Sequence, residues 1–143
     1  MAEPVTQDPQ AVQAHLGILQ QIIQRMADNS AACKGWCIAI VSAILAVSAD
    51  KDRPEYVVIA ALPTLLFLFL DTYYLSLEIR FRETYASFVS RVHQKQITAD
   101  ELFVVKVTPE SAAMLWRSFR SFAIWPFYGM LAVLVLVIFA AVR

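Results

Sequence analysis

The sequence predicts an all-α membrane protein: three transmembrane helices, an N-terminal amphipathic helix and a long cytosolic extension of the second span. Three observations lead there. Tyr56 to Leu77 carries one charge, Asp71, and Ser121 to Val142 carries none; each run reaches the ~20 apolar residues that a helix needs to cross hydrocarbon. Hydrophobic residues make up 59% of the 143 and mean hydropathy is +0.56, while only 3 glycines are present, which argues against a turn-dense β fold. After Leu77 the composition turns charged at once, yet no Gly or Pro occurs from Thr64 to Lys95. A soluble helical bundle is the alternative, and the uncharged C-terminal run argues against it.

The chain reads as one domain. Residues 1–8 form a polar tail, and Asp8-Pro9 is a helix start, with Asp8 as cap and Pro9 in the first turn. An amphipathic helix is expected over 9–30. Val12, Leu16, Leu19, Ile23, Met26, Ser30, Cys33, Cys37, Ile40 and Ile44 alternate spacings of four and three, a heptad-like seam that passes from polar into apolar sequence. The first span, 31–49, is the weakest, because Lys34 sits near its start. A lysine there can extend its ammonium to the interface. Val47-Ser48-Ala49 has the look of a cleavage site, but the preceding residues are not basic, so an uncleaved span is expected.

A charged turn at 50–55 separates this span from the second, 56–77, in which Pro63 should bend the helix. The cytosolic extension, 78–95, carries a stripe of Tyr74, Leu77, Phe81, Tyr85, Phe88 and Val92. Leu16, Leu19 and Ile23 on the first helix and Phe81, Tyr85 and Phe88 on the extension are therefore the candidate packing interface. Either the two pack as an intramolecular hairpin, or the seam serves self-association. Residues 96–120 form a cytosolic loop and short helix. Thr98 to Glu101 fits a capping box, Leu102–Val107 is short and β-branched enough to be extended, and Thr108-Pro109-Glu110 should cap a helix bearing Ala112, Leu115, Trp116, Phe119 and Phe122. The third span, 121–142, begins among Trp125, Phe127 and Tyr128, with Pro126 as a bend.

Net charge is zero, which favours neither nucleic acid nor acidic substrates. With three spans, nine of the 12 basic residues fall on the side of the N-terminus and the 78–120 segment, and three on the other. The positive-inside rule places the N-terminus in the cytoplasm. Cys33 and Cys37 share a helix face and are expected to stay reduced, as small packing residues or as sites of acylation beside the membrane.

Asp71 is the residue that needs explaining. A carboxylate in a span costs about 2.5–3.5 kcal/mol at mid-membrane and less toward the interface. Either it handles protons or cations, or it is a structural group bonded to Tyr or Ser hydroxyls or paired with Lys34. Glu78 and Arg82 stand at i,i+4 and are candidates for a salt bridge, for headgroup contact or for binding an anionic partner. His15 and His93 read as polar edge residues. No Walker loop, GxSxG elbow or HExxH motif occurs, and no cofactor or metal is expected.

The residues Arg25-Met26, Asn29-Ser30 and Lys34-Gly35-Trp36, followed by Leu70-Asp71, Tyr73-Tyr74-Leu75, Glu78, Phe81-Arg82 and Tyr85, resemble a widespread group of small bacterial inner-membrane proteins. The plan is also similar to that of SLATT-type two-span effectors of bacterial conflict systems. The resemblance implies a bacterial inner-membrane location and a non-enzymatic protein that oligomerises or docks a cytosolic partner, with pore-forming effectors of antiviral defence that perturb membrane permeability as the type; a third span departs from that type. A small channel or transporter subunit using Asp71, or a passive scaffold, are the alternatives. A reporter active only in the periplasm, fused after Arg143, should be active; a silent fusion there together with an active N-terminal one overturns the topology.

Overall fold

The computed structural model describes residues 9–50, 55–98, 101–107, 109 and 111–142. Its elements are α1 (Pro9–Asp50), α2 (Glu55–Ile59), α3 (Ala61–His93), α4 (Ala112–Phe119) and α5 (Trp125–Val142), and the described residues include no strand. The Asp8 cap, residues 51–54 of the charged turn, residues 99–100 of the capping box, and Thr108 and Glu110 lie outside the described residues.

The segments expected as an amphipathic helix, 9–30, and a first span, 31–49, are one element. α1 runs for 42 residues, roughly 63 Å of helix. It packs antiparallel to the 33-residue α3 as an intramolecular hairpin: the His15 and Phe88 rings lie 4.3 Å apart, and Gln20 Nε2 donates to the Tyr85 hydroxyl at 3.3 Å. Of the expected interface, Leu19 and Phe88 are buried, whereas Leu16, Ile23, Phe81 and Tyr85 are half-buried. The seam drifts along α1. Beyond Cys37 it passes through Val41 and Leu45, which are buried, and leaves Ile40 exposed. A straight helix has 3.6 residues per turn, so a 3.5-residue stripe cannot face one partner over this length.

Pro63 acts one turn upstream of itself. It has no N–H for the Ile59 carbonyl, and the helix is interrupted at Ala60, which accepts from the Thr64 hydroxyl at 2.8 Å. The last apolar helix is shorter than expected: Ser121 to Ile124 form a turn, with Ile124 N–H donating to the Ser121 carbonyl at 3.0 Å, and α5 begins at Trp125. Pro126 thus occupies the first helical turn, where it is tolerated, and does not bend a longer helix. α4 is capped by Ser111, whose hydroxyl accepts from Met114 N–H at 3.3 Å.

α5 lies against the apolar half of the hairpin. Ile124, Tyr128 and Leu131 close a core with Cys37, Val41, Leu45, Val57 and Ala60. Around it the surface is apolar, with Trp36, Ile38, Val47, Leu62, Leu65 and Leu136 among the exposed side chains. Two helical stretches, Pro9–Ser48 and Val57–His93, are long and apolar enough to cross a membrane. Only 28% and 22% of their apolar windows is buried, whereas the core helix of a soluble protein is mostly buried.

At the other end of the hairpin the chain folds back. α3 ends in paired bonds, Gln96 N–H to Arg91 O and Lys95 N–H to Val92 O, both at 3.1 Å, and Lys95 takes the left-handed conformation (φ 56) that closes such an end. Residues 97–98 and 101–107 then form a strap, with a 3-10 conformation at Glu101 and a turn at Phe103 (φ 65), where an extended segment was expected over 102–107. Among the described residues Ile97 is buried and two polar contacts fasten the strap: Phe103 N–H donates to His15 Nδ1 at 3.0 Å, and Arg91 Nη1 meets Glu101 Oε1 at 2.6 Å. His15 is thus buried (2% exposed) and not an edge residue.

Burial pushes the His15 imidazole below its ordinary value of 6.5, and the Arg91 guanidinium adds to the effect. With its pKa lower when the strap is docked, docking is favoured above pH 6.5 and weakens as pH falls below it, toward the lowered value. Protonation also removes the Nδ1 acceptor. The protection of the Phe103 amide against hydrogen exchange should therefore fall on acidification through this range, relative to amides in mid-α3. His15→Gln should abolish the pH dependence; an unchanged profile in that variant would assign the effect elsewhere.

Candidate functional site

The apolar half of the hairpin encloses one charged pair. Ser30 and Lys34 are one turn apart on α1, so both face the same point on α3, and that point is Asp71. Lys34 Nζ lies 2.6 Å from Asp71 Oδ2 and donates to Ser30 Oγ at 3.2 Å, while the Ser30 hydroxyl donates to Asp71 Oδ1. Asp71 is fully buried and the Lys34 side chain is 22% exposed, as a long stem with its head turned inward requires. The third wall comes from α5. The Tyr128 hydroxyl is buried and makes no hydrogen bond of good geometry. Cys33 and Cys37, one and two turns along the same face, are free and buried, so neither thiol is presented for acylation.

The structure therefore brings Asp71 and Lys34 together. Glu78 and Arg82 form a separate pair at the expected i,i+4 spacing, with Arg82 Nε at 2.8 Å and Nη2 at 2.7 Å from Glu78 Oε1. Arg82 is 64% exposed, and such a pair contributes only ~0.2–0.5 kcal/mol. Glu78 lies about 10 Å of helix from Asp71, so the two pairs are not one site. Serine hydroxyls are among the expected partners of Asp71 without Ser30 being singled out; its i,i+4 spacing from Lys34 is the signal that points to it. Tyr128 was not, because nothing in the sequence says where α5 packs.

Chemically the arrangement is closed. One carboxylate oxygen is held by a hydroxyl and the other by an ammonium, so charge is neutralised inside an apolar bundle. Among the described residues, no three His, Cys, Asp or Glu side chains are grouped as metal ligands. No family model matches the chain, and no curated protein and no solved structure is significantly similar to it.

Breaking a buried pair by removing one partner costs about 3–5 kcal/mol, because the other charge is stranded, whereas removing both is nearly neutral. Lys34→Met should therefore lower the thermal midpoint of the purified protein strongly. Asp71→Asn in the same background should restore most of the loss, since Asn still accepts from Ser30. Additive losses in the double variant would show that the two groups do not stabilise one another.

Proposed function

We propose that the chain is a non-enzymatic membrane protein whose apolar half sits in the lipid bilayer and whose hairpin projects into the cytoplasm to self-associate or to dock a cytosolic protein. The observation that carries this reading is the division of the hairpin surface. Exposed large apolar side chains crowd the stretches 36–73 and 116–137, whereas the polar end exposes Ile18 on α1 and Phe103 and Val104 on the strap. A belt of that kind needs lipid or protein against it. The basic residues of the hairpin's polar end fit a cytoplasmic N-terminus, with α5 as a third, short span and the Trp116–Phe119 stack of α4 at the interface.

In this reading the Asp71–Lys34 pair locks the hairpin. A second role, as a proton- or cation-handling group in a channel or permeability-changing effector, is favoured by the unbonded Tyr128 hydroxyl beside it. Oligomer size in nanodiscs, with dye leakage and ion flux measured on the same material, separates the two. A defined oligomer without leakage is expected for the docking protein. If Asp71→Asn accumulates normally and abolishes a flux present in the parent, the conducting role replaces it. A monomer that captures no cytosolic protein and leaks nothing leaves the passive scaffold.

A further inference from the structure

The strap closes over a cavity of about 110 Å³ at the polar end of the hairpin, walled by His15 of α1, Phe88 and Arg91 of α3, and Glu101 and Lys106 of the strap. Its polar groups are unevenly used. Arg91 and Glu101 meet through a single pair of atoms, Nη1 and Oε1. Arg91 Nε, a donor, and Glu101 Oε2, an acceptor, are both buried without a hydrogen-bond partner from the protein. A buried polar atom left in this state is unfavourable unless something bonds it. His15 accepts at Nδ1 from Phe103 N–H, so the neutral ring keeps its proton on Nε2. The Thr84 hydroxyl, also in the wall, donates to the Arg80 carbonyl at 3.0 Å and has only acceptor capacity left.

We propose that this cavity binds free hydrogen phosphate. The wall offers donors on Arg91, His15 and Lys106 and one carboxylate acceptor on Glu101, with a net charge of one positive when His15 is neutral. Hydrogen phosphate is complementary: three oxygens accept, and its single O–H donates to Glu101 Oε2. Sulfate, chloride and carboxylates have no proton for Glu101 and meet its negative charge unrelieved; so does a phosphomonoester dianion. A tetrahedral ion of five heavy atoms suits a cavity of this size. His15 stands about 22 Å of helix from Ser30, so a headgroup of a lipid at the apolar half does not reach the site. Bound phosphate would tie α1, α3 and the strap together.

The test is calorimetric titration of the full chain, in nanodiscs of uncharged lipid at pH 8, with inorganic phosphate, sulfate and glycerol phosphate. Phosphate should bind at least about tenfold more tightly than either competitor, a difference of about 1.4 kcal/mol. Glu101→Gln should erase that preference, because its amide can donate to sulfate. Lys106→Gln, which lies outside both strap contacts, should weaken phosphate severalfold while leaving the Phe103 amide protected. Added phosphate should raise that protection in the parent and not in Arg91→Gln. Equal binding of phosphate and sulfate by the parent, or no phosphate heat with Phe103 protected, would overturn the proposal and leave a water-filled cavity.

Discussion

The contact on which the hairpin depends is the buried meeting of Asp71 with Lys34 and Ser30. Apolar side chains along two long helices can satisfy one another in several registers, since contacts between Leu, Val and Ile are nearly interchangeable. A buried carboxylate cannot. It is tolerable only where an ammonium and a hydroxyl face it, and on α1 that combination occurs at Ser30 and Lys34. A single polar position is the best-attested device for choosing register in helix pairs. Once Asp71 is placed, Phe88 falls against His15, Tyr85 near Gln20 and Ala60 beside the Val41–Leu45 segment.

The same pair marks a change of surroundings along the rod. Toward α2 and α5 the hairpin presents apolar surface and shares a core of Cys, Val, Leu, Ala and Tyr. Toward the N-terminus of α1 it presents glutamines and charged groups, and its contacts become specific: a ring stack, a hydroxyl bond and an ion pair. One uninterrupted helix can serve both environments because its backbone bonds are internal throughout, whether water or hydrocarbon lies outside. Only the side chains have to change.

The strap is held differently from everything else. Its described residues include a 3-10 conformation at Glu101 and a left-handed residue at Phe103, and its polar attachments there are to one histidine nitrogen and through one carboxylate. Left-handed conformations at Lys95 and Phe103 cost about 1–2 kcal/mol each for non-glycine residues. That strain is sustained by contacts with α1 and α3, so the strap's placement is conditional on the hairpin, on the charge state of His15 and on whatever occupies the space beneath.

By itself the sequence determined what is periodic and local. Uninterrupted apolar runs specify the two long helices, the absence of breakers from Thr64 to His93 makes α3 a single rod, and the i,i+4 spacing of Glu78 and Arg82 produces their pair without help from elsewhere. It also narrowed the partners of Asp71 to hydroxyls or Lys34, because an acid in apolar sequence has few ways to be satisfied. Tertiary structure decided the rest. The seam moved from Ile40 to Val41 because a straight helix drifts from a seven-residue repeat. The start of α5 at Trp125 followed from the turn that Ser121 to Ile124 close ahead of it. His15 became a buried acceptor only because a strap 88 residues away supplies an N–H, a long-range contact that leaves no trace in local pattern.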